Sequence, residues 1–216
     1  MTEKSKSSVA IIGGADGPTS IFIAGRTGKK SLKNRVQNYI YKCKCKRAEK
    51  KISAGSHTFE EVVAYAIDKY DLMEVNTSQG KYTELKKNIK EYMVIRHKPE
   101  LLGDLKDISK PDFQNEDSIR KFYEQIEARS EMIAQIPDSE MPMDFHIYQL
   151  KKDEGSLEMK IDYIWNFFSV SYSGNKKSMK QFKKIGQDLY LYYGVDEADI
   201  KTKSERYSSL LAALSV

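Results

Sequence analysis

Ten cations fall within the 23 residues from Lys29 to Lys51. Lys29, Lys30, Lys33, Arg35, Lys42, Lys44, Lys46, Arg47, Lys50 and Lys51 are accompanied by a single acid, Glu49. The segment carries +9, which leaves −4 on the remainder of a chain whose formal charge is +5. A local field of this kind attracts anions. Tyr39 and Tyr41 lie among the cations. Lys and Arg against phosphate, with aromatic rings for stacking, is the chemistry of nucleic-acid contact. The candidate anion- or nucleic-acid-binding residues are Lys29, Lys30, Lys33, Arg35, Tyr39, Lys42, Lys44, Lys46 and Arg47. The partner they suit is a nucleic acid or an acidic protein. The same residues equally suit a solvated helix face, or one docked on the acidic remainder.

Cys43 and Cys45 sit inside this run, one residue apart. One Cys-x-Cys without a second pair falls short of a tetrahedral zinc site, and the spacing is too close for an ordinary disulfide. Flanking lysines lower thiol pKa values, which gives a reactive pair as one reading and a buried Cys43 beside an exposed Cys45 as the other. His57, His97 and His146 are scattered without His-x3-His spacing and read as cap, surface or strand residues. The stretch Gly25–Ser31 lacks the Gly-x4-Gly-Lys-Ser/Thr spacing of a P-loop. In Ser173–Ser178, two lysines at a helix start suit a phosphate, and Asn175 suits a cap. There is no Gly-x-Ser-x-Gly, no paired Cys-x2-Cys and no dinucleotide fingerprint. No metal or cofactor is expected, and no catalytic machinery is identified.

The run Ile12-Gly13-Gly14-Ala15-Asp16-Gly17-Pro18-Thr19-Ser20-Ile21-Phe22 carries a different signal. Its glycines permit positive φ and leave backbone N–H groups uncovered, where an anion can bind. Asp16 opposes an anion unless a metal or donor accompanies it, and its side chain can instead close the turn. The peptide closely resembles a signature of the β subunits of biotin-dependent, sodium-pumping decarboxylases. Those are integral membrane proteins that decarboxylate carboxybiotin and move sodium. The resemblance covers residues 9–26 and implies ion or proton handling by the motif's aspartate, here Asp16, which is the catalytic candidate if the motif is active. Elsewhere the chain departs from that family. No apolar run reaches the roughly 20 residues of a membrane span, and a carrier site needs a sealed path with partner ligands. Sodium pumping by this polypeptide alone is not expected. The apolar stretch ahead of Asp16 is short and Gly-rich, unlike a secretory leader; with thiols expected reduced, the expected location is the cytoplasm.

The elements that must position these residues are legible as periodicities. The composition, 40% hydrophobic with 14 Tyr, 8 Phe and one Trp, supplies a core. Two cysteines exclude a disulfide-rich scaffold. Val9–Gly13 and Thr19–Ala24 are β-prone runs around a Gly/Asp/Pro loop, which suits a hairpin or a strand-to-helix connection. Residues 29–53 read as a helix with Leu32, Val36, Ile40 and Cys43 on its buried face. Thr58 and Glu61 form a capping box ahead of a helix burying Phe59, Val62, Val63, Ala66 and Tyr70. After a turn at 76–80, Tyr82, Leu85, Ile89, Tyr92 and Met93 mark another helix, to about Arg96. Residues 99–102 are a helical turn, 103–114 a linker, and 116–136 a helix with Ile119, Phe122, Ile126, Ile133 and Ile136 inward. Residues 145–151 and 156–172 read as antiparallel strands. In the second, Leu157, Met159, Ile161, Tyr163, Trp165 and Phe167 share a core face while Phe168, Val170 and Tyr172 follow the other parity. That switch predicts a bulge near Phe167–Phe168. A helix at 176–193 turns Met179, Phe182, Ile185, Leu189 and Tyr192 inward and stops at Gly194; a last helix covers 203–214.

The expected class is α+β, with an N-terminal β-hairpin-like motif (1–28), a mostly helical middle with the basic first helix (29–110), and an α+β region (111–216) whose antiparallel β-hairpin is packed by helices. These segments can also form one continuous domain. The functional expectation is a non-enzymatic binding protein that engages an anionic partner through residues 29–51. The alternative is a soluble enzyme or ion-binding accessory protein that retains the Asp16 loop.

Overall fold

The structure, a computed structural model, describes residues 32–78, 80–152 and 155–215. The hairpin-like segment 1–28, with Asp16 and the decarboxylase-like motif, and the cations Lys29 and Lys30 lie outside the described residues. In chain order the elements are α1 (Leu32–Glu49), β1 (Gly55–Ser56), α2 (Phe59–Tyr70), β2 (Met73–Glu74), α3 (Gly80–His97), a 3-10 segment (Pro99–Lys106), α4 (Glu116–Gln135), β3 (Phe145–Lys152), β4 (Gly155–Asp162), β5 (Phe167–Gly174), α5 (Lys176–Tyr193), β6 (Gly194–Val195), α6 (Glu197–Thr202) and α7 (Glu205–Ser215).

The class is α+β. An antiparallel sheet runs β2-β3-β4-β5, and β1 pairs with β6. Strands preceding residue 111 thus pair with strands following it. The pleat turns alternate residues to opposite faces, and each face has its own helical cover. Tyr148, Leu150, Leu157, Met159, Ile161, Phe168 and Val170 pack with Phe59, Val62 and Ala66 of α2, Phe182, Ile185 and Leu189 of α5, and Tyr207 and Leu210 of α7. Phe145 and Ile147, from the other face of β3, join Ile89, Met93 and Val94 of α3, Leu102 of the 3-10 segment, and Ile133 of α4. Leu157, Met159 and Ile161 are fully buried, each side chain contributing roughly 1.5–3 kcal/mol of apolar burial.

The local signals act as expected at several ends. Thr58 accepts from the Glu61 N–H and Glu61 reaches back to the Thr58 N–H at 2.8 Å, which starts α2. Gly194 stops α5 at φ 63°, and a Cβ there would lie 1.9 Å from the Gly55 carbonyl oxygen. Only glycine lets β6 approach β1 this closely.

The structure revises four expectations. The run 156–172 is two strands, not one bulged strand. Asp162 is fully buried, and its Oδ1 accepts the N–H groups of Ile164 (3.0 Å) and Trp165 (2.9 Å). Asn166 adopts the left-handed φ of 52°, a conformation that Asn tolerates. A tight turn at 163–166 therefore reverses the chain and resets the parity. Tyr163, Trp165 and Phe167 accordingly leave the core stripe and are only half-buried. On α4, Ile133 and Ile136 are buried while Ile119, Phe122 and Ile126 are half-exposed, because the core takes only the C-terminal end of that helix. On α5, Met179 is 37% exposed, and Gly186, Tyr190 and Tyr193 take inward positions. Finally, α6 intervenes before the last helix: an Asp196/Asp199 capping box starts it and Lys203, at φ 53°, ends it.

Candidate functional site

Helix α1 lies against α7 and buries Ala48, a side chain small enough for close helix approach. Half-buried Cys45 and buried Ala48, spaced i, i+3, mark the side of contact, while Tyr41 one turn earlier is 52% exposed. The stripe expected to be buried is therefore the wrong one: Val36 is 56% and Ile40 50% exposed, and Tyr39 on the same side is 69% exposed. Cys43 and Cys45 are both free and half-buried, which replaces the expected buried/exposed pair. The hydrogen bond to the Cys45 side chain, followed by burial, pushes the Tyr41 phenol above its ordinary pKa. Lys33 and Arg35 lie in the first turn of α1. Lys42, Lys44, Lys46 and Arg47 are all exposed, and no ion pair among the described residues engages them. By helical spacing, Lys42 and Lys46 flank one side of the Val36–Tyr39–Ile40 stripe, Lys44 flanks the other, and Arg47 continues the stripe itself.

A cleft of about 450 Å³ opens between the end of α3, the β4–β5 turn, and the α6–α7 corner. Arg96 of α3 pairs with Glu205 of α7, and the Tyr92 hydroxyl donates to Glu205 Oε1 at 2.7 Å. Beside them, Trp165 Nε1 donates to the Pro142 carbonyl and its ring meets His97 at 5.1 Å. Burial, then the Arg96 charge, pulls the His97 pKa below its ordinary value. Arg206 stands 3.7 Å over the Tyr193 ring. Its guanidinium donates to the carbonyls of Gly194 (2.8 Å), Tyr193 (2.6 Å) and His57 (3.1 Å), tying α7 to the β1–β6 pair.

The histidines have structural partners. His57 Nδ1 contacts the Tyr192 carbonyl at 2.6 Å, and its ring stacks on Tyr192. His146, on β3, is clamped: Nδ1 lies 2.6 Å from Glu74 Oε1 of β2, and Nε2 lies 3.0 Å from Asp144 Oδ1. Partial burial pulls its pKa down, but the two carboxylates outweigh that and hold it above the ordinary value. Asp188 of α5 receives the hydroxyls of Tyr65 (2.6 Å) and Tyr70 (2.7 Å) and the ammonium of Lys69 (2.9 Å), which clips α5 to α2 and holds the carboxyl below its usual range despite burial. At the start of α5, Asn175 Oδ1 accepts the N–H groups of Lys177 and Ser178, both at 2.9 Å, so the groups a phosphate would use there serve the cap.

The structure keeps Lys42, Lys44, Lys46 and Arg47 of α1 exposed on one element. It assembles a cleft that no sequence spacing announces, since Arg96, Trp165, Glu205 and Arg206 come from distant segments. The lone tryptophan was the available signal, and its strand-like setting disguised it as core. Among the described residues, no group of His, Cys, Asp and Glu is arranged to hold a metal ion, and no helix is long and apolar enough to cross a membrane. No protein-family model, curated protein or solved structure matches the chain.

Proposed function

We propose that this protein binds nucleic acid, non-specifically, through the solvent face of α1. The observation that carries the reading is that Lys42, Lys44, Lys46 and Arg47 stand exposed without ion-pair partners among the described residues, beside a Tyr39 ring that is 69% exposed. Cations neutralised by internal acids would have little left for phosphate; these have kept their charge for solvent. Tyr39 offers a face on which an unpaired base stacks. Two free thiols support a reducing, cytoplasmic setting.

The test is fluorescence anisotropy with labelled single- and double-stranded oligonucleotides. If four cations contact phosphates, single-strand affinity falls about 50-fold between 50 and 200 mM salt, from a slope of about −0.7 per contact. Replacing Lys42, Lys44, Lys46 and Arg47 with Gln removes most of the binding and leaves the circular dichroism unchanged, because none of the four is buried. Tyr39→Ala weakens single strands more than duplexes. Affinity that stays level with salt, or that survives the fourfold change, overturns the proposal and leaves α1 as a solvated face.

A further inference from the structure

We propose that the cleft between α3, the β4–β5 turn and α7 binds a planar heteroaromatic ring of nucleobase size that presents N–H donors. This goes beyond the role of α1 and does not depend on it. The volume, about 450 Å³, falls within the range of roughly 300–1,000 Å³ that encloses small ligands. Rings of Tyr92, Trp165 and Phe167 line it, and a flat ligand gains most from such walls by offset or edge contact. Trp165 is held in place by its N–H bond to the Pro142 carbonyl and by the His97 ring, so the wall is fixed before a ligand arrives.

The polar groups select among flat ligands. The charged side chains lining the cleft are Arg96 and Arg206 against Asp196, Asp199 and Glu205. Burial and the neighbouring Arg96 keep His97 toward its neutral form, so the lining is acidic by one charge and disfavours a free phosphate. The cations are also engaged: Arg206 donates to three backbone carbonyls, and Arg96 to Glu205 and the Tyr92 hydroxyl. Acceptor capacity remains. Each carboxylate can take about four hydrogen bonds. Glu205 receives Tyr92 and Arg96, and Asp196 Oδ1 receives the Asp199 N–H. The complementary ligand is therefore a neutral aromatic ring with amino or ring N–H groups, as in adenine or cytosine. Such a ring arrives either as a free nucleoside or as an unstacked base of a strand.

Trp165 is the only tryptophan of the chain, so intrinsic fluorescence excited at its red edge reports on this cleft. The full chain is titrated with adenosine, cytidine, a short oligo-dA, choline and sodium phosphate, and adenosine is also followed by calorimetry with Trp165→Phe. Saturable quenching by adenosine or cytidine identifies a free nucleoside as source; quenching by oligo-dA alone identifies a strand base. In either case Glu205→Gln weakens binding at least tenfold, with the fold checked by circular dichroism. The fourfold Gln change on α1 leaves the nucleoside response within twofold of the unaltered chain, which separates failure of this site from failure of the α1 reading. Choline or phosphate quenching as strongly as adenosine overturns the ligand class. Silence toward both nucleosides and oligo-dA, in fluorescence and calorimetry alike, overturns the site.

Discussion

Arg206→Ala removes the side chain that ties α7 to the β1–β6 pair. The guanidinium donates to three backbone carbonyls and covers the face of Tyr193. A hydrogen bond from a charged donor contributes about 1.5–3 kcal/mol when its loss strands the acceptor. Arg206 is only half-buried, so water can reach the freed carbonyls. About 1 kcal/mol per bond is the appropriate figure, and the expected loss is about 3 kcal/mol. That is a large share of the roughly 5–15 kcal/mol that holds a domain folded. Urea unfolding followed by circular dichroism reads it directly: with a slope of about 2 kcal/mol per molar, the midpoint drops by about 1.5 M. Arg206→Lys keeps the charge but not the planar fork, so it restores less than half of the loss. A midpoint shift below about 0.5 M for the Ala variant, or a Lys variant equal to the unaltered chain, refutes the reasoning. The carbonyls would then be satisfied by water, and the clip would be incidental.

Thr58→Ala deletes half of the α2 capping box and lowers stability by about 1 kcal/mol, seen as a midpoint shift of about 0.5 M urea on the same slope. His146 and His97 titrate in opposite directions from their ordinary value, so proton-detected NMR shows His146 protonating first as pH is lowered. The sign follows by linkage. The His146 contribution is fully present below the unfolded pKa of about 6.5 and is lost as pH rises through its raised folded value. The stability gap between the unaltered chain and His146→Ala therefore narrows from pH 6 toward pH 8; a gap that widens over that window contradicts the clamp. The salt slope of oligonucleotide binding and the quenching of Trp165 complete the set.

What the sequence determined by itself was local. The Thr58/Glu61 box, the helix from Lys176 to Tyr193 and its arrest at Gly194 depend on chemistry within a few residues, and periodicity with end signals suffices to find them. The alternation in residues 145–172 revealed strands and a change of parity, but placed that change at Phe167–Phe168, after the turn at 163–166 that causes it. The cause of that change, Asp162 accepting two N–H groups around a turn with Asn166 left-handed, is local too, but a bulge gives the same pattern of apolar residues. On α1 the apolar spacing is real, yet periodicity marks a face without naming what covers it. Contact with α7 falls on the side of Ala48 instead, leaving Val36 and Ile40 in solvent beside the cations. Only the tertiary structure decided the rest. The two-carboxylate clamp on His146, the Asp188 clip and the cleft around Trp165 join residues up to more than a hundred positions apart. No spacing rule reaches that far, because such neighbours are chosen by how the helices pack on the two faces of the sheet.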